Sequence, residues 1–439
     1  MKLKSFRKGV HPYQGKELSK DSPIKTLPAS EMMVYPLSQS IGAPAKPCVQ
    51  KGDKVLKGQM IAEADGFISA PIYSSVSGTV KAIENRLVIS GEKVLSIVIE
   101  NDGQDEAYGN FGEPADADSY SAEKISEIIK ASGIVGLGGA GFPTSVKLSP
   151  KNPLNIDTLI INGAECEPYL TSDYRLMLER SGEIIKGIKT VLKLFPNAKA
   201  VIGIEDNKPD AIKLMKEKTS GEDKISVLAL KTKYPQGGER QLIYAVTGRK
   251  INSKMLPADK GCIVVNTASC YAIYEAVYMN MPLIHKVMTI SGEGVNSPCN
   301  VDVPLGISHS DVLEAVGGAK EEVIKFISGG TMMGTAMSTL DVPVTKTSCS
   351  ILAFLTDDVA TLAQSNCIHC GKCLSACPQS LVPQMLAKSV KALDFDKFDS
   401  LGGMECIECG CCTFVCPAKI PLTQMFKMGK AKVRETHKR

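Results

Sequence analysis

Residues 367–378 are CIHCGKCLSACP, and residues 406–417 are CIECGCCTFVCP. Both stretches have the pattern C-x2-C-x2-C-x3-C-P, so one motif occurs twice. Cysteine thiolates are ligands of zinc and of iron–sulfur clusters, and closely spaced cysteines can bind one face of a cluster. The two stretches therefore predict a small metal-binding unit in the last quarter of the sequence.

The spacing is that of bacterial ferredoxins with two 4Fe-4S clusters, in which the fourth cysteine of each motif ligates the other cluster. We therefore predict that the two motifs exchange their last cysteines. The predicted ligands are Cys367, Cys370, Cys373 and Cys416 for one cluster, and Cys406, Cys409, Cys412 and Cys377 for the other.

Zinc is the alternative metal for these motifs. Zinc ribbons use two separated C-x2-C pairs, whereas each motif here has three evenly spaced cysteines followed by C-P, so the spacing favours clusters. Cys411 breaks the spacing, and we interpret it as a non-ligand that could compete with Cys412. Because a cluster passes one electron at a time, the rest of the chain should supply an electron source or sink.

Length and composition narrow the class of protein. The 439 residues are enough for several domains, and the net charge of +4 is too weak to indicate a nucleic-acid partner. The N-terminal residues MKLKSFRKGVHP have no apolar stretch behind them, and no run approaches the roughly 20 apolar residues of a membrane span. Nine of the 15 cysteines lie between residues 367 and 416, which argues against a secreted disulfide scaffold.

The N-terminal third predicts two units. Residues 1–34 are polar and proline-rich and predict an extended segment. Residues 35–104 alternate apolar and polar side chains between glycine-containing turns, which predicts a small all-β unit. This unit resembles a lipoyl-like barrel-sandwich domain. Its hairpin, Ala64–Phe67, lacks the acceptor lysine of carrier domains, so we predict a structural role and no swinging arm.

Strand and helix patterns alternate through residues 118–284, after an acidic linker. Isoleucines at helical spacing mark two helices, and Pro209 is placed to begin a third. This alternation predicts a largely parallel, Rossmann-like α/β sheet. Its predicted strands are Thr158–Ile161, Ala200–Ile204, Ile225–Leu230 and Cys262–Val265.

Residues 285–340 are glycine-rich, with short strand patterns and one helix pattern. They predict a small α+β unit that resembles a β-grasp domain of the soluble-ligand-binding type. Residues 342–354 are predicted to lead into the cluster domain, which is expected to be helical and to cover residues 355–425. The predicted fold class is therefore multidomain, α/β with α+β.

A glycine-rich loop, GLGGAGFPTSVK, occupies residues 136–147. Glycines let a ligand approach the backbone, and exposed N–H groups before a helix can bind phosphate. Lys147 adds a positive charge. The loop follows a helix that ends near Gly133 and not a strand, so we reject the ordinary dinucleotide fingerprint. A plain structural turn is the alternative, since glycine clusters often only interrupt secondary structure.

Three further polar stretches follow predicted strands: NGAECEPYLTSDYR (162–175), YPQGGERQL (234–242) and VVNTASC (264–270). Ligands bind at the carboxyl ends of parallel strands, so these stretches are expected to surround one site. Ordinary loop chemistry explains the glycines but not the carboxylates Glu165 and Glu167.

Together these loops resemble the flavin- and NADH-binding subunit of respiratory complex I and its relatives. Nearly the whole chain, from FRKGVHP (6–12) to the paired cysteine motifs, is most similar to the C subunit of the Rnf ferredoxin:NAD+ oxidoreductases. The resemblance implies noncovalent FMN, NAD(H) and two 4Fe-4S clusters. The cofactor-binding residues that it implies are Gly136, Gly138, Gly139, Lys147, Asn162, Glu165, Glu167, Tyr234, Gly237, Gly238, Glu239, Asn266 and Thr267.

Glu167 matches the acidic residue that binds the nicotinamide nucleotide ribose. Two positions depart from complex I, which has an arginine at the place of Leu137 and a second glutamate at the place of Arg240. Nucleotide binding at these two points is therefore left open.

The resemblance also implies a function. Hydride would pass between NAD(H) and FMN, and single electrons between FMN and the clusters, linking ferredoxin to NAD+ while partner subunits move ions. The chain is expected at the cytoplasmic face of the cell membrane, peripheral and bound to other subunits. The alternatives are a cobalamin reductase of the propanediol-utilisation type, which has related modules in another order, and a cluster relay that is not an enzyme.

Overall fold

The computed structural model describes residues 3–437. The strands are β1 (Ile24–Thr26), β2 (Met32–Pro36), β3 (Lys46–Pro47), β4 (Lys54–Val55), β5 (Met60–Glu63), β6 (Ile72–Tyr73), β7 (Gly78–Leu87), β8 (Lys93–Asn101), β9 (Thr158–Gly163), β10 (Lys199–Glu205), β11 (Ile225–Leu230), β12 (Cys262–Asn266), β13 (His285–Ser291), β14 (Cys299–Pro304), β15 (Lys325–Ser328), β16 (Thr335–Met337) and β17 (Ser350–Phe354).

The helices are α1 (Ala122–Ala131), α2 (Thr144–Lys147), α3 (Ser172–Glu179), α4 (Ser181–Lys193), α5 (Pro209–Lys218), α6 (Glu239–Thr247), α7 (Thr267–Tyr278), α8 (His309–Ala315), α9 (Asp358–Thr361), α10 (Lys372–Ala376), α11 (Pro383–Lys391), α12 (Phe395–Ser400), α13 (Cys411–Phe414) and α14 (Leu422–His437). Short 3-10 helices lie at Lys16–Leu18, Ala117–Ser119, Pro153–Asn155, Pro257–Lys260 and Gly403–Glu405.

A four-stranded parallel sheet forms the centre of the α/β unit, with the strand order β11-β10-β9-β12. The strands β9, β10 and β12 are buried on both faces, which explains their continuous apolar sequences, whereas the edge strand β11 is partly exposed. Leu159 and Ile161 belong to the same core cluster as α4 and α7, whereas Ile160 packs with Leu242 and Ile243 of α6. All four strands lie where the sequence predicts them, to within two residues at either end.

The N-terminal β unit contains two sheets, ordered β2-β8-β7-β4 and β3-β5-β6. Its first strand begins at Met32, three residues before the predicted boundary. The unit is not isolated: the N–H of Ile41 donates to the carbonyl of Gly141 at 2.9 Å, and Ser75 Oγ donates to the carbonyl of Leu305 at 2.7 Å. The β unit therefore packs directly against the glycine-rich loop.

A six-stranded mixed sheet follows, with the order β1-β14-β13-β17-β15-β16. Two of its strands lie outside the predicted range 285–340. β1 comes from the segment predicted to be merely extended, and β17 comes from residues 342–354, which were predicted to be a connection. The sheet therefore extends beyond the predicted range at both ends, and the interpretation of residues 342–354 as a connection was wrong. β1 has only three residues, and β17 is buried along nearly its whole length, so neither shows a period-two pattern.

The C-terminal unit is helical and has its own apolar core, which includes Leu386 of α11, Phe398 of α12 and Phe426 of α14. α14 has 16 residues. Across residues 3–437 we find no helix that combines the length and the apolar character needed to traverse a bilayer.

A buried ion network joins the parallel sheet unit to the six-stranded sheet. His285 on β13 lies 2.7 Å from Asp302 of β14 and 3.0 Å from Glu275 of α7, and it stands edge-on to Tyr271. Burial lowers the pKa of His285, but the two carboxylates outweigh this and hold it well above the ordinary value. The protonated ring is therefore a stabilising link between the two units.

We expect the variant His285→Gln to lose stability in a pH-dependent way. The contribution of the imidazolium is complete below the ordinary pKa of about 6.5 and is lost as pH rises through the raised pKa of the folded state. Breaking a buried ion pair costs about 3–5 kcal/mol, so the difference from wild type in urea unfolding should be largest below the ordinary histidine pKa and shrink as the pH rises through the raised pKa of the folded state.

His309→Gln is the matched control for this experiment. His309 is buried and hydrogen-bonded to the carbonyl of Val342, and burial lowers its pKa to about 4. Its ring stays neutral above about pH 7, so the effect of this variant should not change with pH in that range. A constant deficit for His285→Gln would contradict the assigned charge.

Candidate functional site

The carboxyl edge of the parallel sheet places two asparagines side by side. Asn162 of β9 pairs in register with Asn266 of β12. Asn266 Oδ1 accepts from the N–H of Ala268 at 2.9 Å, which caps α7, and its Nδ2 donates to Asp173 at 2.6 Å. Asn162 Nδ2 donates to the carbonyl of Gly237 at 2.9 Å. Both side chains are thereby fixed at the ligand-binding edge of the sheet.

The glycine-rich loop lies against the N-terminal end of α7. The N–H of Leu137 donates to Ser269 Oγ at 3.0 Å. A Cβ on Gly138 would come within 3.2 Å of the Asn266 amide nitrogen, and Gly139 has φ +94°. Gly138 and Gly139 are exposed, and their N–H groups meet no acceptor among the described residues. The loop therefore fits a phosphate group, which needs free N–H donors and a close backbone approach.

The N-terminal end of α6 lies at the same edge of the sheet. A Cβ on Gly237 would lie 3.4 Å from Asn162 Oδ1, so this glycine permits the close packing of the two loops. Gly238 precedes the first residue of α6, Glu239. The Glu239 carboxylate lies 3.4 Å from Lys147 Nζ. The structure thus brings Lys147 and the residues at the start of α6 together, as the sequence predicts.

Glu165 points back into the protein and caps α3. Its carboxylate accepts from the N–H groups of Asp173 at 2.7 Å and Tyr174 at 3.3 Å. Burial raises the pKa of Glu165 to about 7, although Lys16 opposes this shift. Asp173, which sequence analysis passed over, is also buried, and burial raises its pKa. The only available signal for Asp173 was its place in the same polar stretch as the two glutamates.

Glu167 lies where the parallel sheet, the six-stranded sheet and the cluster unit meet. Its Oε1 accepts from the hydroxyl of Tyr234 at 3.2 Å, and its Oε2 accepts from the N–H of Met332 at 3.0 Å. Burial raises the pKa of Glu167 to about 7, against the lowering effect of these hydrogen bonds. A Cβ on Gly330 would overlap the carboxylate, so only glycine allows the loop after β15 to cover Glu167.

Four buried or largely buried lysines hold the loops of this site, and sequence analysis found none of them. Lys16 Nζ donates to the carbonyls of Glu165 and Glu167, both at 2.9 Å. The other three donate to carbonyls that border the site. They are Lys208 to Ala164 (2.8 Å), Lys286 to Leu137 (2.8 Å), and Lys346 to Gly133 (2.8 Å) and Pro71 (2.6 Å).

The eight predicted cluster ligands line two cavities in the C-terminal unit. Each cavity contains three cysteines of one motif and the fourth cysteine of the other motif, which is the crossed arrangement that the sequence predicts. One is lined by Cys406, Cys409, Cys412 and Cys377, and the other by Cys367, Cys370, Cys373 and Cys416. Each set of four thiols faces one shared space, which fits a cubane cluster. We name these the inner cavity and the outer cavity.

The inner cavity lies against the flavin-type unit. Cys411, at the start of α13, also borders this cavity, and its Sγ lies 4.0 Å from the carbonyl of Tyr234. A Cβ on Gly410 would lie 2.8 Å from the carbonyl of Met332. The outer cavity opens to solvent, since Cys367 and Cys370 are exposed.

Two further contacts fix the cluster unit to the rest of the chain. The N–H of Gly9 donates to the carbonyl of Ala376 at 3.0 Å, which places the N-terminal segment beside α10. Arg240 on α6 pairs with Glu405 at 2.9 Å, and Glu405 also accepts from Ser253. Glu405 directly precedes a predicted cluster ligand, so the departure at Arg240 has a structural role. The other departure, Leu137, is a buried core residue.

Comparisons with known proteins agree with this arrangement. Four family models match in chain order: the RnfC barrel sandwich hybrid domain (residues 4–104), the Nuo51 FMN-binding domain (129–275), the SLBB domain (287–336) and the 4Fe-4S dicluster domain (366–420). A chain of an NAD+-reducing NiFe hydrogenase shares the fold with a TM-score of 0.51 at 21% identity, over 66% of this chain and 55% of that one.

Two curated relatives match over most of their length. The C subunit of the proton-translocating ferredoxin:NAD+ oxidoreductase complex of Clostridium ljungdahlii is 47% identical, over 88% of this chain and 84% of the relative. The C subunit of the Na+-translocating ferredoxin:NAD+ oxidoreductase complex of Acetobacterium woodii is 39% identical, over 90% of this chain and 89% of the relative.

The fold and the sites define an electron-transfer protein with a flavin unit and a two-cluster unit. The chain belongs to the RnfC family, the C subunits of the ion-translocating ferredoxin:NAD+ oxidoreductase complexes known as Rnf complexes. FMN and 4Fe-4S clusters are its cofactors, and other subunits of such a complex are its partners.

We expect Gly138→Asp to remove FMN and leave the clusters in place. The new side chain would crowd the Asn266 amide and put a negative charge where a phosphate is expected. Flavin content should fall about tenfold or more, equivalent to at least about 1.4 kcal/mol, while iron and sulfide stay at the wild-type level.

Gly221→Asp is the matched control, because a Cβ on Gly221 meets no atom within 4 Å. This variant should retain FMN. Retention of FMN by Gly138→Asp would show that the glycine-rich loop is not the phosphate site.

Proposed function

We propose that this chain exchanges a hydride between NAD(H) and FMN and exchanges single electrons with two 4Fe-4S clusters. In this proposal it links ferredoxin oxidation to NAD+ reduction at the cytoplasmic face of a membrane complex, in which partner subunits translocate the ions. The relatives named above support the overall reaction. FMN, when bound, supplies the conversion between two-electron and one-electron transfer.

One observation carries this proposal: the candidate flavin site and the inner cavity share a wall. Tyr234 is fully buried, its hydroxyl reaches Glu167, and its carbonyl lies beside Cys411. The same apolar cluster contains Tyr234, Cys409 and Cys411, with Cys166 packed against it. Buried protein atoms therefore connect the nucleotide side of the site directly to the nearest cluster ligands.

The residues around the edge of the sheet would bind and orient the two nucleotides. In this proposal, the N–H groups of Gly138 and Gly139, with the N-terminal end of α7, would bind the FMN phosphate. Lys147, at the end of the same loop, would add a positive charge. The Glu167 carboxylate would accept from the ribose hydroxyls of NAD(H), in exchange for one of its protein hydrogen bonds.

The order of the clusters follows from their surroundings. The inner cavity, with Cys406, Cys409 and Cys412, is buried against the flavin-type unit, so its cluster would be the first to exchange electrons with FMN. The outer cavity has exposed cysteines, so its cluster would exchange electrons with partner subunits. The Arg240–Glu405 pair would hold this relay at a fixed distance from α6.

Anaerobic purification followed by addition of NADH tests the proposal. We expect eight irons, eight sulfides and one FMN per chain, on the basis of two cubane clusters, and bleaching of both flavin and cluster absorbance. In Cys370→Ser, which alters only the outer cavity, NADH should still reduce the remaining cluster. A protein with full iron and sulfide but no FMN, and no response to NADH, would rule the function out.

We further expect Glu167→Gln to weaken NADH binding about tenfold and to change its pH dependence. Because the pKa of Glu167 is raised to about 7, the wild-type carboxylate gains acceptor strength as pH rises through that value, and NADH affinity should rise with it. The glutamine variant should have a flat profile between about pH 6 and 8. Dissociation constants from flavin fluorescence provide the measurement, and Glu92→Gln, in the exposed turn between β7 and β8, serves as the control.

A further inference from the structure

We propose that the surface around the outer cavity is the docking site for an electron-transfer protein with an acidic face. This inference rests on the function proposed above, because it assigns a partner to the outer cluster. The docking surface consists of Ile368, Lys372, Met385, Lys388 and Lys391, all of which line the outer cavity.

A partner that exchanges electrons with the outer cluster must approach it at this surface. Cys367 and Cys370 are exposed, whereas Cys409 and Cys412 of the inner cavity are buried. A redox centre on another protein can therefore approach the first pair of thiolates closely. The inner thiolates are covered by the flavin-type unit and cannot be approached in this way.

The charge of the docking surface is positive. Lys372, Lys388 and Lys391 are exposed and line the outer cavity together with His369, and no carboxylate of the described residues lines it. No ion pair among the described residues involves these three lysines, so they are free for a partner; Lys430 and Lys432 form the ion pairs at the C-terminal end of this unit. The wall of the inner cavity, by contrast, contains Glu408.

Two exposed apolar side chains line the outer cavity together with these lysines. Ile368 is 68% exposed and Met385 40%. An apolar centre surrounded by charges of one sign is typical of interfaces that form quickly by electrostatic steering and dissociate after transfer. The complementary partner has acidic residues around its own redox centre. An anionic membrane would satisfy the charges but would offer no electron acceptor, so we favour the protein.

The test uses the double variant Lys388→Glu/Lys391→Glu. Both lysines lie on α11 and outside the cysteine motifs, so the clusters should assemble. The matched control is Lys213→Glu/Lys216→Glu on α5, which has the same spacing and the same change of charge on an exposed helix of the flavin-type unit. Iron, sulfide and FMN contents are measured for each protein. Reduction of ferricyanide by NADH, which needs no docking surface, reports whether the proposed function itself holds.

Binding is measured to the solubilised remainder of the complex, prepared from cells that lack this chain. We expect the α11 variant to bind about tenfold or more weakly at low ionic strength, with a flatter salt dependence, and to transfer electrons to the complex correspondingly more slowly. The α5 control should match wild type. Ferricyanide reduction should be equal in all three proteins.

Three results would overturn the inference. The first is unchanged binding and transfer in the α11 variant, and the second is an equal loss in the α5 control. The third is that the α11 variant loses binding only to vesicles of phosphatidylglycerol and phosphatidylcholine, which would identify a membrane contact. Failure of NADH to reduce ferricyanide in the wild-type protein would instead contradict the proposed function, and so the two failures are distinct.

Discussion

Buried lysine side chains that donate to backbone carbonyls are the constraint on which the rest of this structure depends. The loops at the carboxyl edge of the parallel sheet leave carbonyl groups without strand or helix partners. Lys16, Lys208, Lys286 and Lys346 satisfy many of them. Hydrogen bonds to a charged group contribute about 1.5–3 kcal/mol each, and removal of the donor would leave the carbonyls buried and unpaired. The flavin-type site therefore has its shape before any ligand binds.

These lysines also explain why three units of the chain depend on one another: the N-terminal β unit, the α/β unit and the six-stranded sheet. Lys346 comes from the segment before β17 and joins Gly133, which precedes the glycine-rich loop, to Pro71 of the N-terminal β unit. Lys16 comes from the N-terminal segment and holds the loop that contains Glu165 and Glu167. The site is thus not a property of the α/β unit alone. The β unit and the six-stranded sheet, which carry no predicted cofactor residue, hold its loops in place.

Sequence analysis predicted the parts of the molecule whose structure follows from local sequence patterns. The strands of the parallel sheet are continuous apolar runs because both faces are buried, and the site loops follow them because parallel strands end at one edge. The lysines could not be found in this way. A lysine is ordinarily exposed, so its sequence does not indicate a buried role. In addition, the carbonyls that Lys16 and Lys286 bind belong to residues that are each 149 positions away in the sequence. Likewise β17 was missed because its pairing with β13 and β15 is set by distant sequence.

The contacts of Leu137 and Arg240 explain the two departures from the complex I pattern. Leu137 places an apolar side chain in the core, and Lys286 binds the carbonyl of Leu137 from the side of the six-stranded sheet, in addition to the charge that Lys147 brings to the loop. Arg240 binds Glu405, which directly precedes a predicted ligand of the inner cavity. At both positions the side chain contacts other parts of the protein, the core in the case of Leu137 and the cluster unit in the case of Arg240. A site altered in this way keeps the exposed N–H groups of Gly138 and Gly139, and α6 acquires a direct ion pair with the cluster unit.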